Sequence, residues 1–487
     1  MRQRSGCPSA LRSSIVASTT RTVPCQAGPG LLDCYRFHSV QSVGGSVIEQ
    51  LRDWVDSQDL AGELADWISQ PSVSRTGEGM VEAAAHGLRL LRASGLQARE
   101  VETGGWPALV GTADGPGPHV LIYGHYDVQP AGPLELWTTP PFVPSIRDGR
   151  MYGRGTGDNK GQHLAQLLGL RALRDLTGGF PCRVTVLLDG EEEIGSPNLA
   201  KAVSQVGQPD LVIWSDGPVH DSGRACVVLG VRGILMFELR ARGANRPLHS
   251  GNWGGVAPNP AWTLVQLLAT MRTADGTVTV PGFADGVAPL TDGQRAALAD
   301  LPVDVAGTLE EIGASGMEPP AELGFHERLA TPTLTVNSLS CEDSGDHRAV
   351  IPDVAVARCE ARLVGGQTPE QVADAIRRHV AKYAPDVEFV PGAAMTPSTT
   401  LPETPYTATI LQAVEDGIGQ RPLLVPMLGG SLPMAVLSDG LSCPCYGVPL
   451  ANVDEANHAA DENLDLDLFL GGVVTAATIQ LALAARS

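Results

Sequence analysis

Basic residues, aromatic residues and paired cysteines are all scarce in this chain. Against 54 Asp and Glu, 487 residues hold only 34 Lys and Arg, a formal net charge of −20. Sequence-independent binding to nucleic acid or to an anionic membrane needs clustered Lys and Arg, so neither partner is expected. Aromatic residues make up 5% and charged residues 18%, beside 43% hydrophobic, which is a globular composition and not a disordered one. The nine cysteines are an odd number, and only Cys443 and Cys445, either side of one proline, are spaced as a pair. No disulfide framework is implied, and reduced thiols in a cytoplasmic protein are expected. Cys443 and Cys445 could ligate metal, but one intervening residue and no second pair make a weak signature. Long hydrophobic runs are missing too. Residues 471–485 are too short for a span of about 20 and carry Thr and Gln, so a soluble protein is expected.

Charge is unevenly spread. Residues 1–45 hold five Arg, no Lys and one acid, Asp33, so they carry +4 and the rest of the chain carries −24. This Ser/Thr/Arg-rich stretch reads either as a transit-like peptide or as a disordered or mis-started leader, with the folded protein beginning near Val47. A secretory signal is not expected, because no apolar core precedes a small-residue cleavage site.

From Val47 onward, helical periodicity runs through Ile48, Leu51, Trp54 and Val55, then Leu60, Leu64 and Trp67, and again over 81–93. Short apolar runs follow at 108–111, 119–124, 183–188 and 210–214, with a helical stretch at 161–176. Strands that alternate with helices and read as continuous apolar runs indicate a buried, mainly parallel α/β sheet. After about Gly230 the texture changes. A half-exposed strand at 231–241, a helix at 261–271, strands at 333–338 and 354–363, a helix at 369–383 and a strand at 387–390 spell β-α-β-β-α-β, the ferredoxin-like unit. Between them, 275–330 carries no sharp pattern. Helical stretches at 405–418 and 466–484 resume the first texture. The chain is therefore expected to divide into a larger domain of 46–229 plus 396–487, interrupted by an inserted domain of 230–395.

Chemistry-bearing residues gather where the α/β strands end, the usual place for active residues in such sheets. The first run ends in Gly124-His125-Tyr126-Asp127, where His125 and Asp127 share a face and suit a metal ligand and the carboxylate that orients it. A Gly-rich segment, 152–161, places Asp158 before a helix; the Walker spacing of a phosphate loop is absent, and an ordinary N-cap is the plain alternative. Strand 184–188 runs into Asp189-Gly190-Glu191-Glu192-Glu193, acids that repel one another unless cations or protons neutralise them. Ser215-Asp216-Gly217 follows the next strand, and His458 lies before the last helix. Imidazole with carboxylates suits zinc better than calcium or magnesium.

Together these segments resemble the dinuclear zinc metallopeptidase family of aminoacylases, carnosinase-type cytosolic dipeptidases, glutamate carboxypeptidases and the acetylornithine and succinyl-diaminopimelate deacylases, most nearly the dipeptidase branch. The resemblance runs from about residue 47 to 487. It implies an α/β fold whose mainly parallel-sheet catalytic domain holds a dinuclear metal site, interrupted by an inserted α+β ferredoxin-like (βαββαβ) lid and dimerisation domain. It implies two divalent metal ions per subunit, zinc with manganese or cobalt as alternatives. One takes His125 and Asp216, the other Glu193 and His458, and Asp158 is shared. Two such cations against three carboxylates leave one positive charge for a bridging hydroxide, and Glu192 is the implied general base. Asp127 orients His125. His249, in Pro247-Leu248-His249-Ser250-Gly251, is implied to stabilise the oxyanion in the other subunit of a homodimer joined through the inserted domain. Arg362 is implied to grip the substrate's terminal carboxylate, with Gly430 and Ser431 offering backbone N–H groups at a helix start. The expected reaction is hydrolysis of dipeptides or short peptides with a free C-terminal carboxylate. An N-acyl-amino-acid deacylase is the alternative, and a non-catalytic binding or scaffold protein with the same fold is a remote one.

Overall fold

The structure is a computed structural model that describes residues 44–318, 323–341 and 349–486. The leader expected at 1–45, with Cys7, Cys25 and Cys34, lies outside the described residues except for Gly44 and Gly45, and Gly45 already opens the first helix, Gly45–Asp56.

Six strands of the large sheet precede the insertion: β1 (Gln97–Val101), β2 (Ala108–Ala113), β3 (Gly117–His125), β4 (Cys182–Asp189), β5 (Leu211–Trp214) and β6 (Cys226–Val228). The insertion supplies β7 (Gly233–Arg242), β8 (Thr333–Cys341), β9 (Val354–Leu363) and β10 (Glu388–Met395), and β11 (Leu423–Val425) and β12 (Cys445–Gly447) follow it. The large sheet has the order β1-β2-β4-β3-β5-β12-β6-β11. Its centre, β4-β3-β5-β12, is parallel throughout. The expected parallel sheet is therefore present, with an antiparallel edge in which β2 covers the apolar run at 108–111 and β1 is unmarked by periodicity.

Period two explains why these strands read as unbroken apolar runs. Val120 and Ile122 of β3 join one core with Leu211 and Ile213 of β5, while Leu121 and Tyr123 join a second core with Val212 and Trp214. Each strand is thus buried on both faces, as a sheet flanked by helices requires. Helix Gly161–Thr177 and helix Leu466–Ala484 pack on the first face. The latter has the bounds read from the sequence, 466–484. At 19 residues it is long and apolar enough to cross a membrane, but most of it is buried inside the protein, as a core helix is.

The inserted sheet has the order β8-β9-β7-β10, antiparallel at every pair. Leu235, Phe237 and Leu239 of β7 and Ala357, Cys359 and Ala361 of β9 pack against helices Pro260–Met271 and Pro369–Tyr383 in a core of their own. The β-α-β-β-α-β order read from the sequence is the observed one. The patternless stretch before β8 is not structureless: it holds helices Asp292–Asp300, Val305–Glu311 and Phe325–Leu329. The chain leaves and re-enters the large sheet side by side, because Gly230–Val231 pairs antiparallel with Ser398–Thr399.

Candidate metal centre and active site

Parallel pairing of β3, β4 and β5 brings their carboxyl ends together. His125, the last residue of β3, stands opposite Asp189, the last of β4, and Tyr123 stands opposite Trp214, the last of β5. The turn Glu192–Ile194 therefore begins beside His125, and Asp216 arrives two residues beyond β5. Asp158 comes from the irregular turn Thr156–Lys160, where its backbone is not helical (φ −121°, ψ 93°). It does not cap the following helix, which starts at Gly161; its side chain is free for the cluster. His458 comes from the loop between β12 and the short strand Asn463–Asp465.

Two groups form around Asp158: His125, Asp158 and Asp216 in one, Asp158, Glu193 and His458 in the other, with ligand atoms in each group within 4.8 Å of one another. His125 Nε2 lies 3.1 Å from Asp158 Oδ1 and 3.5 Å from Asp216 Oδ2; His458 Nε2 lies 3.0 Å from Asp158 Oδ2 and 3.3 Å from Glu193 Oε2. Ligands about 2.1 Å from a tetrahedral ion stand roughly 3.4 Å apart, so this donor set fits divalent metal. The fully buried His125 Nε2 faces these carboxylates yet makes no hydrogen bond, which leaves a lone pair for a cation. Electrostatics point the same way. Burial works against a charged His125, but the carboxylates of Asp127, Asp158 and Asp216 carry its pKa well above the ordinary value. Hydrogen bonds to Asp158 and Glu193 push His458 up to about 10. Burial raises Asp216 and takes Glu193 up to about 6, while the two imidazoles overcome burial and hold Asp158 below its usual range. Carboxylates that draw protons onto their neighbours this strongly call for a cation.

The Glu-Glu pair divides. Glu193 belongs to a ligand group and Glu192 to neither. Burial, with Asp216, Asp158 and Glu193 nearby, raises the Glu192 carboxyl well above its ordinary value. Asp127 is completely buried and serves two partners. Its backbone carbonyl, 3.0 Å from His125 Nδ1, is the nearer orienting group, with its carboxylate at 3.4 Å. The carboxylate accepts the backbone N–H groups of Glu192 (3.2 Å) and Glu193 (3.1 Å), so it fixes the turn as well as the imidazole.

Further supports join the cluster. Gln129 donates from its side chain to Glu193 Oε2 at 2.9 Å and from its backbone to Oε1 at 3.1 Å. Glu462, fully buried, accepts Arg154 Nη1 (2.6 Å) and the backbone N–H groups of Gly155, Gly157 and Asp158 (3.0 Å each). It thereby ties the His458 loop to the Asp158 turn. An acid four residues after a candidate ligand is the only signal of Glu462 in the sequence. Cys443 and Cys445, free thiols, belong to neither ligand group.

Toward the insertion, Arg362 of β9 points away from the helices of that domain. Its Nη1 donates to Ser431 Oγ at 3.1 Å and its Nε to Glu360 Oε1 at 2.9 Å. Gly430 accepts the backbone N–H of Arg232 through its carbonyl at 3.1 Å. The helix after this loop is Met434–Leu441, so Gly430 and Ser431 precede its cap, Pro433, rather than forming the helix start. His249 is exposed and belongs to neither ligand group; its Nδ1 accepts the backbone N–H of Gly251 at 3.1 Å. Within one chain the structure brings Arg362 to Ser431 but does not bring His249 to the acids.

Known proteins share this arrangement of sequence. The sequence model for peptidase family M20/M25/M40 matches residues 121–481. The Cys-Gly metallodipeptidase dug1 of Schizosaccharomyces pombe is 29% identical over 369 residues, 73% of this chain and 77% of that one. The Beta-Ala-His dipeptidase of Rattus norvegicus is 28% identical over 72% of this chain and 73% of its own. Among solved structures, the M20 family metallo-carboxypeptidase Sso-CP2 of Sulfolobus solfataricus superposes with a TM-score of 0.80 at 27% identity, covering 88% of this chain and all of that one. The chain belongs to peptidase family M20/M25/M40.

Proposed function

We propose that the protein is a metal-dependent dipeptidase that hydrolyses the amide bond of dipeptides or short peptides ending in a free carboxylate, with Glu192 as general base. The observation that carries this reading is the pair of ligand groups that share Asp158 while Glu192 stands beside them outside both. His125 and Asp216 would hold one divalent ion and Glu193 and His458 the other. Zinc suits the mixed nitrogen and oxygen donors, with manganese or cobalt as alternatives. Bound there, the ions supply Lewis acidity that polarises the scissile carbonyl and makes water at the site more acidic.

The chain's own residues do the rest. Glu192 takes the proton of the attacking water and delivers it to the leaving amine. Asp127 holds His125 and the Glu192–Glu193 backbone in fixed relation. Arg362, seated on Ser431 beside Gly430, binds the substrate's terminal carboxylate through its planar fork. The exposed His249 acts in a second copy, where it stabilises the oxyanion; this assigns a homodimer joined through the insertion. The domain limits of 46–229 with 396–487, and 230–395, belong to the same proposal, as does a cytoplasmic location. The names of the relatives favour dipeptides over N-acyl amino acids.

The test is a panel of dipeptides and N-acyl amino acids assayed on chelated protein with each metal restored. Chelation should abolish turnover and zinc, manganese or cobalt should return it. Glu192→Ala should lose about 10²–10⁴-fold in kcat while keeping its metal by elemental analysis. Turnover that survives exhaustive chelation sinks the mechanism, and metal lost from Glu192→Ala makes that residue a ligand instead of the base.

A further inference from the structure

Arg232 stands at the start of the insertion, one residue before β7, and is only 6% exposed. Its Nη2 donates to Thr333 Oγ1 at 2.8 Å and to the Thr331 carbonyl at 3.2 Å, both uncharged acceptors. Its Nε is buried without a partner, and no carboxylate among the described residues pairs with it. Thr333 sits directly opposite Arg362 in the β8–β9 ladder, so the two side chains share a face of the sheet. The residue following Gly430, whose carbonyl accepts the Arg232 backbone, is Ser431, whose hydroxyl accepts Arg362. The Arg362 guanidinium and the Arg232 backbone thus meet at residues 430–431, while the Arg232 guanidinium rests on Thr333, directly opposite Arg362. Among the described residues, Glu360 is the one acid that pairs with Arg362 and bears on the Arg232 charge.

A buried cation without a charged partner is costly. Burial first, and the Arg362 charge second, push the Arg232 pKa down to about 10, with Glu360 offsetting part. A structural strut between strand ends needs hydrogen bonds but no charge there. An anion arriving at Ser431 would balance the excess.

We infer that Arg232 is the second guanidinium of the substrate's carboxylate subsite, a specificity-determining residue that selects peptides with an ionised C-terminus over their amides. The inference rests on the dipeptidase reading and on the place given there to Arg362. Arg362 reaches the carboxylate from the sheet face, and Arg232 supplies the charge behind the 429–431 loop.

The experiment measures binding apart from turnover. Metal-loaded Glu192→Ala protein is titrated calorimetrically with the dipeptide best hydrolysed in the panel and with its C-terminal amide, with and without Arg232→Met. Arg232→Met should weaken the acid tenfold or more and leave the amide within twofold, and Arg232→Lys should recover part of the difference. Arg232→Gln keeps a donor for Thr331 and Thr333 but no charge; it should behave like the Met variant and serves if that variant does not fold. Equal weakening of acid and amide makes Arg232 a strut and overturns the inference, as does no change in either. Failure of the underlying reading looks different: the protein carrying an intact Arg232 would then bind acid and amide alike.

Discussion

His163 lies one helical turn beyond Lys160, 1% exposed, with its Nε2 accepting the Trp67 indole N–H at 3.0 Å. Burial, reinforced by the positive charges of His125 and Lys160, takes its pKa down to about 3. An unfolded chain binds a proton at this imidazole near pH 6.5 and the folded chain does not, so stability falls as pH drops from about 6.5 toward 3. The slope approaches about 1.4 kcal/mol per pH unit, which amounts to about 2 kcal/mol between pH 7 and pH 5. His163→Gln keeps an acceptor for Trp67 and cannot titrate. In urea unfolding of chelated protein, wild type should lose about 2 kcal/mol more than this variant over that interval. Equal losses would show that His163 titrates normally in the fold.

At the scale of elements, the Glu462 clamp joins the turn between β3 and β4 to the loop after β12, the last strand of the large sheet in the chain. Glu462 satisfies four donors with two oxygens. Gln in its place presents an amide group to donors that already point inward, so about half of these bonds are lost. Supporting residues of this kind usually contribute 10–100-fold to metal affinity. Glu462→Gln should therefore bind zinc at least tenfold more weakly by competitive chelator titration, with its circular dichroism unchanged. Affinity within twofold of wild type would reduce Glu462 to a packing residue.

This clamp also marks where sequence reading stops. The strand ends bearing His125, Glu193 and Asp216 are legible because strands buried on two faces read as unbroken apolar runs that acids then interrupt. The partners of Glu462 lie 304–308 residues away, and no local pattern pairs residues at that distance. Arg232, between Val231 and Gly233, reads as an ordinary polar position until Thr331, Thr333 and Gly430 close around it. Strand β1 escapes because its side chains are largely exposed and its apolar content is low. The helices of the stretch before β8 escape because they are five to nine residues long, too short for a periodicity of 3.6 to stand out.

Across the whole molecule, the candidate ligands come from both sides of the insertion: His125, Asp158, Glu193 and Asp216 before it and His458 after it. Metal held by these candidates would cross-link segments that the unfolded chain holds far apart. Binding that favours the folded state stabilises by about 2.7 kcal/mol when free metal is a hundredfold above Kd. Chelated protein should melt several degrees below the zinc-reloaded form in calorimetry, and a Tm that does not move would argue that metal sits elsewhere.

The seating of β12 between β5 and β6 carries a consequence for biosynthesis. A ribosome delivers β5 and β6 long before β12, so the large sheet keeps an open slot while more than two hundred further residues emerge. Contacts so distant in sequence form slowly. His458 and Glu462 arrive later still, on the loop after β12. A nascent or C-terminally cut chain consequently lacks both the strand that fills the slot and His458, one of the three candidate ligands of the second group. With the proposed ligand set, peptide-cleaving activity would be withheld until synthesis is almost finished.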